Sequence, residues 1–329
     1  MASFGRWCFS TAQIADSPSR KRGINEATET RYRQDAATCI QRFQRVGVPQ
    51  KCINTAIVFM HRFYMWHSFV DFHRHGIAPT ALFLAMKVHD EQMPLECLIR
   101  EAFPDLLRDI EESSIKNSEI YRKLEYDLLA NENIMLKTFG FELTVDQPDQ
   151  CMIKYCEMLK VSSVTFRWAQ VIATNSLHFT TLWLQYPPHI IGCFALYFIF
   201  KWSHLEIPLS TDGKPWYSYV DESITEEILK QMVTEFLEMY DRYKRSGLIR
   251  SLALNQLPKS LSETPDSGYK SESHQKKCDS EPALSPTKQK ALSILYRPRK
   301  KRKLNVKDQS KFWCECGIYN TQKVKNSSN

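Results

Sequence analysis

PPHIIGCFALYFIFKW, residues 187–202, is the stretch whose reading decides the fold. Two prolines open it, apolar side chains fill it on every side, and a lysine and a tryptophan close it. Proline has no N–H to give and is tolerated in a first helical turn, where that donor is unused anyway. A helix that is apolar all round is buried all round. An earlier stretch, PTALFLAMKV at 79–88, follows the same plan of proline, apolar run and lysine. Lys87 and Lys201 are 114 positions apart. A central buried helix thus occurs twice, and the chain reads as two similar helical lobes in tandem.

Helical spacing surrounds both stretches. Ser10 and Gln13 form a capping-box pattern that starts a short helix. Asn25 caps a longer one with Tyr32, Ala36, Ile40 and Phe43 in an apolar stripe, ended by Gly47 and Pro49. Further helices are predicted over Gln50 to Trp66, over Thr80 to Val88 behind Pro79, over Pro94 to Phe103 and over Ser118 to Phe139. Pro148 marks a break. Beyond it the spacing predicts helices over Gln150 to Leu159, Phe166 to Phe179, Pro187 to Trp202 and Glu226 to about Tyr243. Only 10 of 329 residues are glycine. Phosphate-cradling loops and tight hairpins draw on glycine, so its scarcity favours helices. The expected fold class is all-α.

After Gly247 the composition turns to Ser, Lys, Pro and Gln, and apolar periodicity vanishes. Such a segment buries too little apolar surface to offset chain entropy, so the tail is expected to be disordered. It also holds the charge. From Ser251 to Asn329 there are 16 Lys and Arg against 7 Asp and Glu, so the net +7 of the chain leaves −2 for the rest. The folded part carries no signal of a basic face for nucleic acid. The ten cysteines lack framework spacing and read as reduced thiols of a cytosolic or nuclear protein. MASFGRWCFS has no long apolar signal core, and the apolar run Ile190 to Phe200 is too short for a membrane span. The chain is read as soluble, with no membrane partner.

No G-x-x-x-x-G-K-[ST], G-x-G-x-x-G, H-E-x-x-H or G-x-S-x-G occurs, and no pair of carboxylates is singled out as acid and base. His73 and His75 in DFHRHG, near His67 and His61, read as loop histidines by a helix end rather than ligands, since no cysteine pair accompanies them. Cys314 and Cys316 form a lone C-x-C without the second pair a zinc module needs. No catalytic residue, metal or cofactor is assigned.

Six strings, in order, carry a resemblance. WCFSTAQIADSPSRKRGI (7–24), NTAIVFMHRFYM (54–65), APTALFLAMKV (78–88) and LKTFGFELTVDQP (136–148) resemble the amino-terminal segment and first box of transcriptional cyclins. ATNSLHFTTLWLQYPP (173–188) and KWSHLEIPLSTDGKPW (201–216) resemble the second box, and fit cyclin T better than cyclin K. The resemblance covers residues 7 to about 245. It implies two tandem five-helix cyclin boxes: an amino-terminal segment with a short helix at 1–25, a first box at 26–146, a second at 147–246 and the basic tail at 247–329. It also implies a nuclear regulatory subunit, not itself an enzyme. Such a subunit forms a heterodimer with the cyclin-dependent kinase of positive transcription elongation factor b and activates it towards the RNA polymerase II carboxy-terminal domain. ATP and Mg²⁺ would be bound by that kinase. A cyclin K-like partner choice and a kinase-independent transcription adaptor are the alternatives; the adaptor should show a basic body and lack a Lys–Glu pair.

Carried over by position, the kinase-binding pair is Lys87 and Glu132. Phe83 lies one turn before Lys87 on the same face, and Phe141 matches a kinase-contact position. Both aromatics read equally as interface anchors or as core. The family's two glutamates after Lys-Val are here His89 and Asp90. In GKPWYSYVD, Trp216 and Tyr217 are either contacts for elongation-complex scaffolds or rings that pin a loop to the core. In the tail, Arg297, Arg299, Lys300, Lys301, Arg302 and Lys303 form a basic cluster that reads as a nuclear import signal or an RNA contact. Thr264 and Ser285, each before proline, are candidate phosphorylation sites.

Overall fold

A computed structural model describes residues 4–108, 110, 112–203 and 214–245. The tail, with its expected disorder, Thr264, Ser285 and the basic residues Arg297 to Lys303, lies outside the described residues, as do Cys314 and Cys316. Every regular element among the described residues is helical.

The first lobe opens with a 3₁₀ turn at Phe4–Trp7 and two short helices, α1 (Thr11–Ala15) and α2 (Pro18–Lys21). There follow α3 (Glu26–Gln41), a 3₁₀ turn at Arg42–Val46, α4 (Gln50–Phe63), α5 (Arg74–Val88), α6 (Leu95–Ala102), α7 (Pro104–Leu107), a 3₁₀ turn at Glu112–Asn117 and α8 (Glu119–Phe139). The caps are those the sequence suggests. Ser10 Oγ accepts from the Gln13 amide at 3.2 Å while the Gln13 side chain accepts from the Ser10 amide at 2.8 Å. Asn25 Oδ1 accepts from the Thr28 amide at 2.9 Å. These bonds satisfy amides that a helix start leaves without intrahelical partners.

The second lobe comprises α9 (Asp149–Met158), α10 (Ser163–Phe179), α11 (Leu182–Gln185), α12 (Pro188–Trp202), a 3₁₀ turn at Trp216–Tyr219 and α13 (Glu226–Arg245). Each lobe wraps its own core around one central helix. In the first, α5 packs against α3, α4 and α8; in the second, α12 packs against α9, α10 and α13. All of α12 from Ile190 to Phe200 is buried, as its all-round apolarity predicts.

One difference from the sequence reading stands out. Pro79 does not open α5: the helix begins five residues earlier, at Arg74, and His73 is its cap, with Nδ1 accepting from the His75 amide at 3.3 Å. Burial of Ile77, Ala78 and Pro79 against the core outweighs the single carbonyl, that of His75, which a proline at this position leaves without a helical donor. The four long helices predicted for the second lobe are present as α9, α10, α12 and α13.

The lobes are joined by polar bonds as well as packing. Gln34 Nε2 donates to the Phe179 carbonyl at 3.1 Å, and His61 Nε2 lies 3.0 Å from the Leu177 carbonyl. Leu177 itself, on α10, is part of the first core. The amino-terminal segment serves both lobes. Trp7 is buried in the first core against Phe139, while the next residues turn to the second: the Phe9 amide donates to the Leu184 carbonyl at 2.7 Å and Cys8 Sγ to the Gln185 carbonyl at 2.8 Å. The seven cysteines among the described residues are all free thiols.

Candidate functional site

The site is built where α5 and α8 lie side by side. Lys87 is the penultimate residue of α5, and its Nζ reaches Glu132 Oε1, in the middle of α8, at 2.7 Å. The two ends of this pair differ. Half of the Lys87 side chain is exposed, whereas that of Glu132 is 10% exposed. A nearly buried carboxylate needs a counterion and hydrogen bonds, and here an exposed ammonium supplies both. Phe83, one turn before Lys87, lies under the same ammonium, with the ring centroid 4.1 Å from Nζ. Lys87 is thus held from two sides with its remaining donors towards solvent.

Helix ends shape the rim. At the end of α8 the Phe141 amide donates to the Leu136 carbonyl and that of Gly140 to Lys137, both at 3.1 Å, the paired bonds of a Schellman ending. Gly140 takes the left-handed conformation that such an ending requires, and Phe141 follows it at φ 61°. The result is a large apolar ring 71% exposed. The end of α5 is made the same way: the Glu91 amide donates to Met86 at 3.0 Å and that of Asp90 to Lys87 at 3.3 Å, with Asp90 at φ 55°. Aspartate tolerates that conformation better than most side chains. His89 Nε2 is 2.8 Å from Thr55 Oγ1 on α4, and burial, then nearby Lys51, lowers its pKa. The two residues that depart from the cyclin pattern are therefore a helix terminus and a tie to α4. Sequence reasoning missed Tyr126 and Leu129, which stand exposed on α8 about two turns and one turn before Glu132. Apolar residues at i−3 and i−6 from Glu132, the charge that the resemblance singles out, are the signal that could have found them.

The other candidates fall elsewhere. Trp216 is not a surface residue: it is 5% exposed, packed between Tyr155, Phe200 and Tyr217 in the second core. The 3₁₀ turn that carries it points this ring inward, which corrects its candidacy as a contact and leaves Tyr217, half-buried edge-on to Tyr197. His73 and His75 are held near pKa values of about 3 and 4, chiefly by burial, so both are neutral. His67 is tied to Thr138 Oγ1 at 2.8 Å. Among the described residues no three His, Cys, Asp or Glu side chains are grouped to hold a metal ion. No described helix is long and apolar enough to cross a membrane.

Comparison with known proteins follows the two lobes. Residues 8–144 match the family model described as cyclin, N-terminal domain, and residues 147–239 that described as Cyclin-T2-like, C-terminal domain. The chain is 44% identical to Cyclin-T1 of Mus musculus over 238 residues, 72% of this chain and 33% of that one. It is 43% identical to Cyclin-T of Drosophila melanogaster over 237 residues, 72% of this chain and 21% of that one. Identity to Cyclin-K of Homo sapiens is 30% over 272 residues, 79% and 45% of the two chains. The chain therefore spans less than half the length of each of these relatives. Among solved structures, a chain of the yeast RNA Pol II CTD kinase complex superimposes with a TM-score of 0.57 at 18% identity, covering 71% of this chain and 72% of that one, and so shares the fold.

Proposed function

The chain belongs to the cyclin family, on its cyclin T branch, and from that premise we propose that it is the regulatory subunit of a transcriptional cyclin-dependent kinase. The partner is the kinase of positive transcription elongation factor b. The substrate of the pair is the carboxy-terminal domain of RNA polymerase II. The greater identity to the T cyclins than to Cyclin-K favours this partner over a cyclin K-like one.

The observation that carries the reading is the bridge from Lys87 to Glu132, half in water, beside the exposed rings and side chains of Phe141, Tyr126 and Leu129. A protein kinase transfers phosphoryl only when its own β3 lysine and αC glutamate are paired and its Mg²⁺ ions are in place. This chain contributes none of those groups. It acts by binding the active arrangement better than the inactive one, and shifts the population by that difference. Lys87, anchored by Glu132 and Phe83, offers its free N–H donors to acceptors on the kinase. Phe141 and Leu129 supply apolar area that leaves water on docking. Burial of such charge-assisted bonds at an interface makes each of them strongly felt when one partner is removed.

Three further assignments go with the reading. The subunit works in the nucleus, brought there by the cluster from Arg297 to Lys303. The same basic tail contacts RNA through phosphate, with steep salt dependence. Tyr217 is the residue of the second box that meets an elongation scaffold.

The test is co-purification from nuclear extract with the full chain and with Lys87→Glu, followed by assay on a polymerase-tail peptide. Kinase activity should arrive with the parent chain and not with the variant. Equal capture by a folded Lys87→Glu chain sinks the proposed surface; capture of no kinase by the parent sinks the function.

A further inference from the structure

A groove of 690 Å³ crosses the joint between the lobes, away from the α5–α8 surface. One wall is the end of α3 with its 3₁₀ turn and the start of α4; the other is the outer face of α10. Its lining is unusual in charge. Arg42, Arg45, Lys51 and Arg167 face it, with Asp149 as the one carboxylate. Asp149 is already engaged, accepting from Gln170 Nε2 at 3.0 Å. Lys51 has a distant partner in Glu91 at 3.6 Å, but among the described residues the three arginines enter no ion pair. His178, at the groove's edge, is held neutral by burial, which lowers its pKa to about 4.

Most of the rest of the lining is amide. Gln41 Nε2 donates to Gln44 at 2.8 Å and to Gln50 at 3.1 Å, and Gln50 Nε2 donates to Asn54 at 2.8 Å. On the opposite wall Asn175 is 3% exposed, and its Nδ2 has no hydrogen-bond partner. A buried donor without an acceptor is uncommon in folded proteins and carries a free-energy penalty until one arrives.

These features select a ligand class. Unpaired guanidinium groups match the oxygens of a phosphate, which carries about −1.5 to −2 at neutral pH. Side-chain amides are the chemical match of peptide groups. Nucleic acid bases require stacking platforms, and among the described lining residues Tyr243 at one end and His178 at the edge are the aromatic rings, with none along the arginines between them. We propose that the groove between the lobes is a docking site for a phosphorylated segment of a partner protein, with the phosphate on Arg42, Arg45 and Arg167 and the backbone along the amides. The site is independent of the kinase-docking surface proposed above.

The experiment is fluorescence anisotropy on the full chain with three labelled probes: random-sequence peptides with a fixed central phosphoserine, their unphosphorylated twins, and oligouridylate. The phosphopeptides should bind at least about tenfold more tightly than their twins. Arg42→Glu with Arg167→Glu should abolish that difference. Lys300→Glu with Lys301→Glu in the tail, and Lys87→Glu at the other surface, should leave it intact. Equal binding of the twins, tighter binding of oligouridylate, or loss of the difference on tail reversal would overturn the proposal.

Discussion

The central helices of the two boxes carry the same device in different surroundings. Both α5 and α12 have 15 residues, and each has a lysine at its penultimate position with an aromatic ring one turn before it. Lys87 lies 4.1 Å from the Phe83 ring and Lys201 5.3 Å from the Tyr197 ring. Each lysine also meets a glutamate from the last helix of its box. There the likeness ends. Glu132 sits in mid-helix with its side chain 10% exposed, 2.7 Å from Lys87; Glu226 sits at the start of α13, 38% exposed and 3.6 Å from Lys201, and is shared with Lys230 and the Tyr197 hydroxyl. A solvated pair contributes little, while a pair with one buried end is fixed in place. The comparison teaches that one device, a lysine closing a buried helix, is fixed in place in the first box by the burial of its partner and left solvated in the second.

A second contrast lies inside. The first box buries a charged network: Glu29, 4% exposed, accepts from Ser17, Arg20 and Arg33, and Arg33 also donates to the carbonyls of His61 and Tyr64. The buried polar residues of the second, such as Ser176 and Thr180, are neutral. The largest expected effect follows from this. Glu29→Gln should lower the unfolding free energy by about 3 kcal/mol, since it leaves a buried guanidinium without its counterion. Thr180→Val should lower it by only about 1 kcal/mol. Urea unfolding of the two variants checks this, and equal losses would break the contrast.

Next comes docking. Lys87→Glu should weaken kinase binding about 100-fold, and Lys201→Glu by less than about twofold. Titration calorimetry with the kinase measures both, and a large loss at Lys201 would mean that the second box also docks.

The joint between the boxes should be acid-sensitive. Burial lowers the pKa of His61 to about 3 and of His178 to about 4, from 6.5. The unfolded chain therefore takes up these protons first. The stability that neutral histidines allow is complete above pH 6.5 and falls with pH below it, by at most about 1.4 kcal/mol per unit for each. His61→Gln should flatten the pH dependence of thermal unfolding between pH 6.5 and 3 by one proton's share. An unchanged slope would place the sensitivity elsewhere.

The smallest effect sharpens the likeness of the central helices. A Cβ at Gly76 would meet Asn131 Nδ2 at 3.5 Å, an ordinary contact, whereas at Gly192 it would meet Met152 Cγ at 3.0 Å. Gly76→Ala should raise stability by about 0.5 kcal/mol, and Gly192→Ala should lower it by about 1 kcal/mol. Melting temperatures of opposite sign would confirm the difference in packing.

Much of this was legible in the sequence because it is local. The caps at Ser10 and Asn25, the apolar faces and the buried character of α12 all arise from residues within a turn or two of one another. Pro79 misled because a tertiary gain, burial of the turn before it, outweighed a local rule. Trp216 could not be placed from a polar neighbourhood, since one 3₁₀ turn decides which of its rings points inward. The bridge from Lys87 to Glu132 spans 45 positions. No spacing rule reaches that far, and only the resemblance to cyclins paired the two residues before the helices were seen. The groove arginines come from both lobes and stayed invisible for the same reason.

The ties from Phe9 to Leu184 and from Cys8 to Gln185 set an order of assembly. Trp7 waits for Phe139 to complete its pocket, and its neighbours wait for the second box. At the usual synthesis rate of ~5–20 residues per second, the interval between making residue 9 and residue 184 is roughly ten to thirty seconds. During that time the first box is a nascent domain with an open seam, and the segment that closes it is already made but has nowhere to bind. Closure of the seam is thus a late event that waits for the second box to be made.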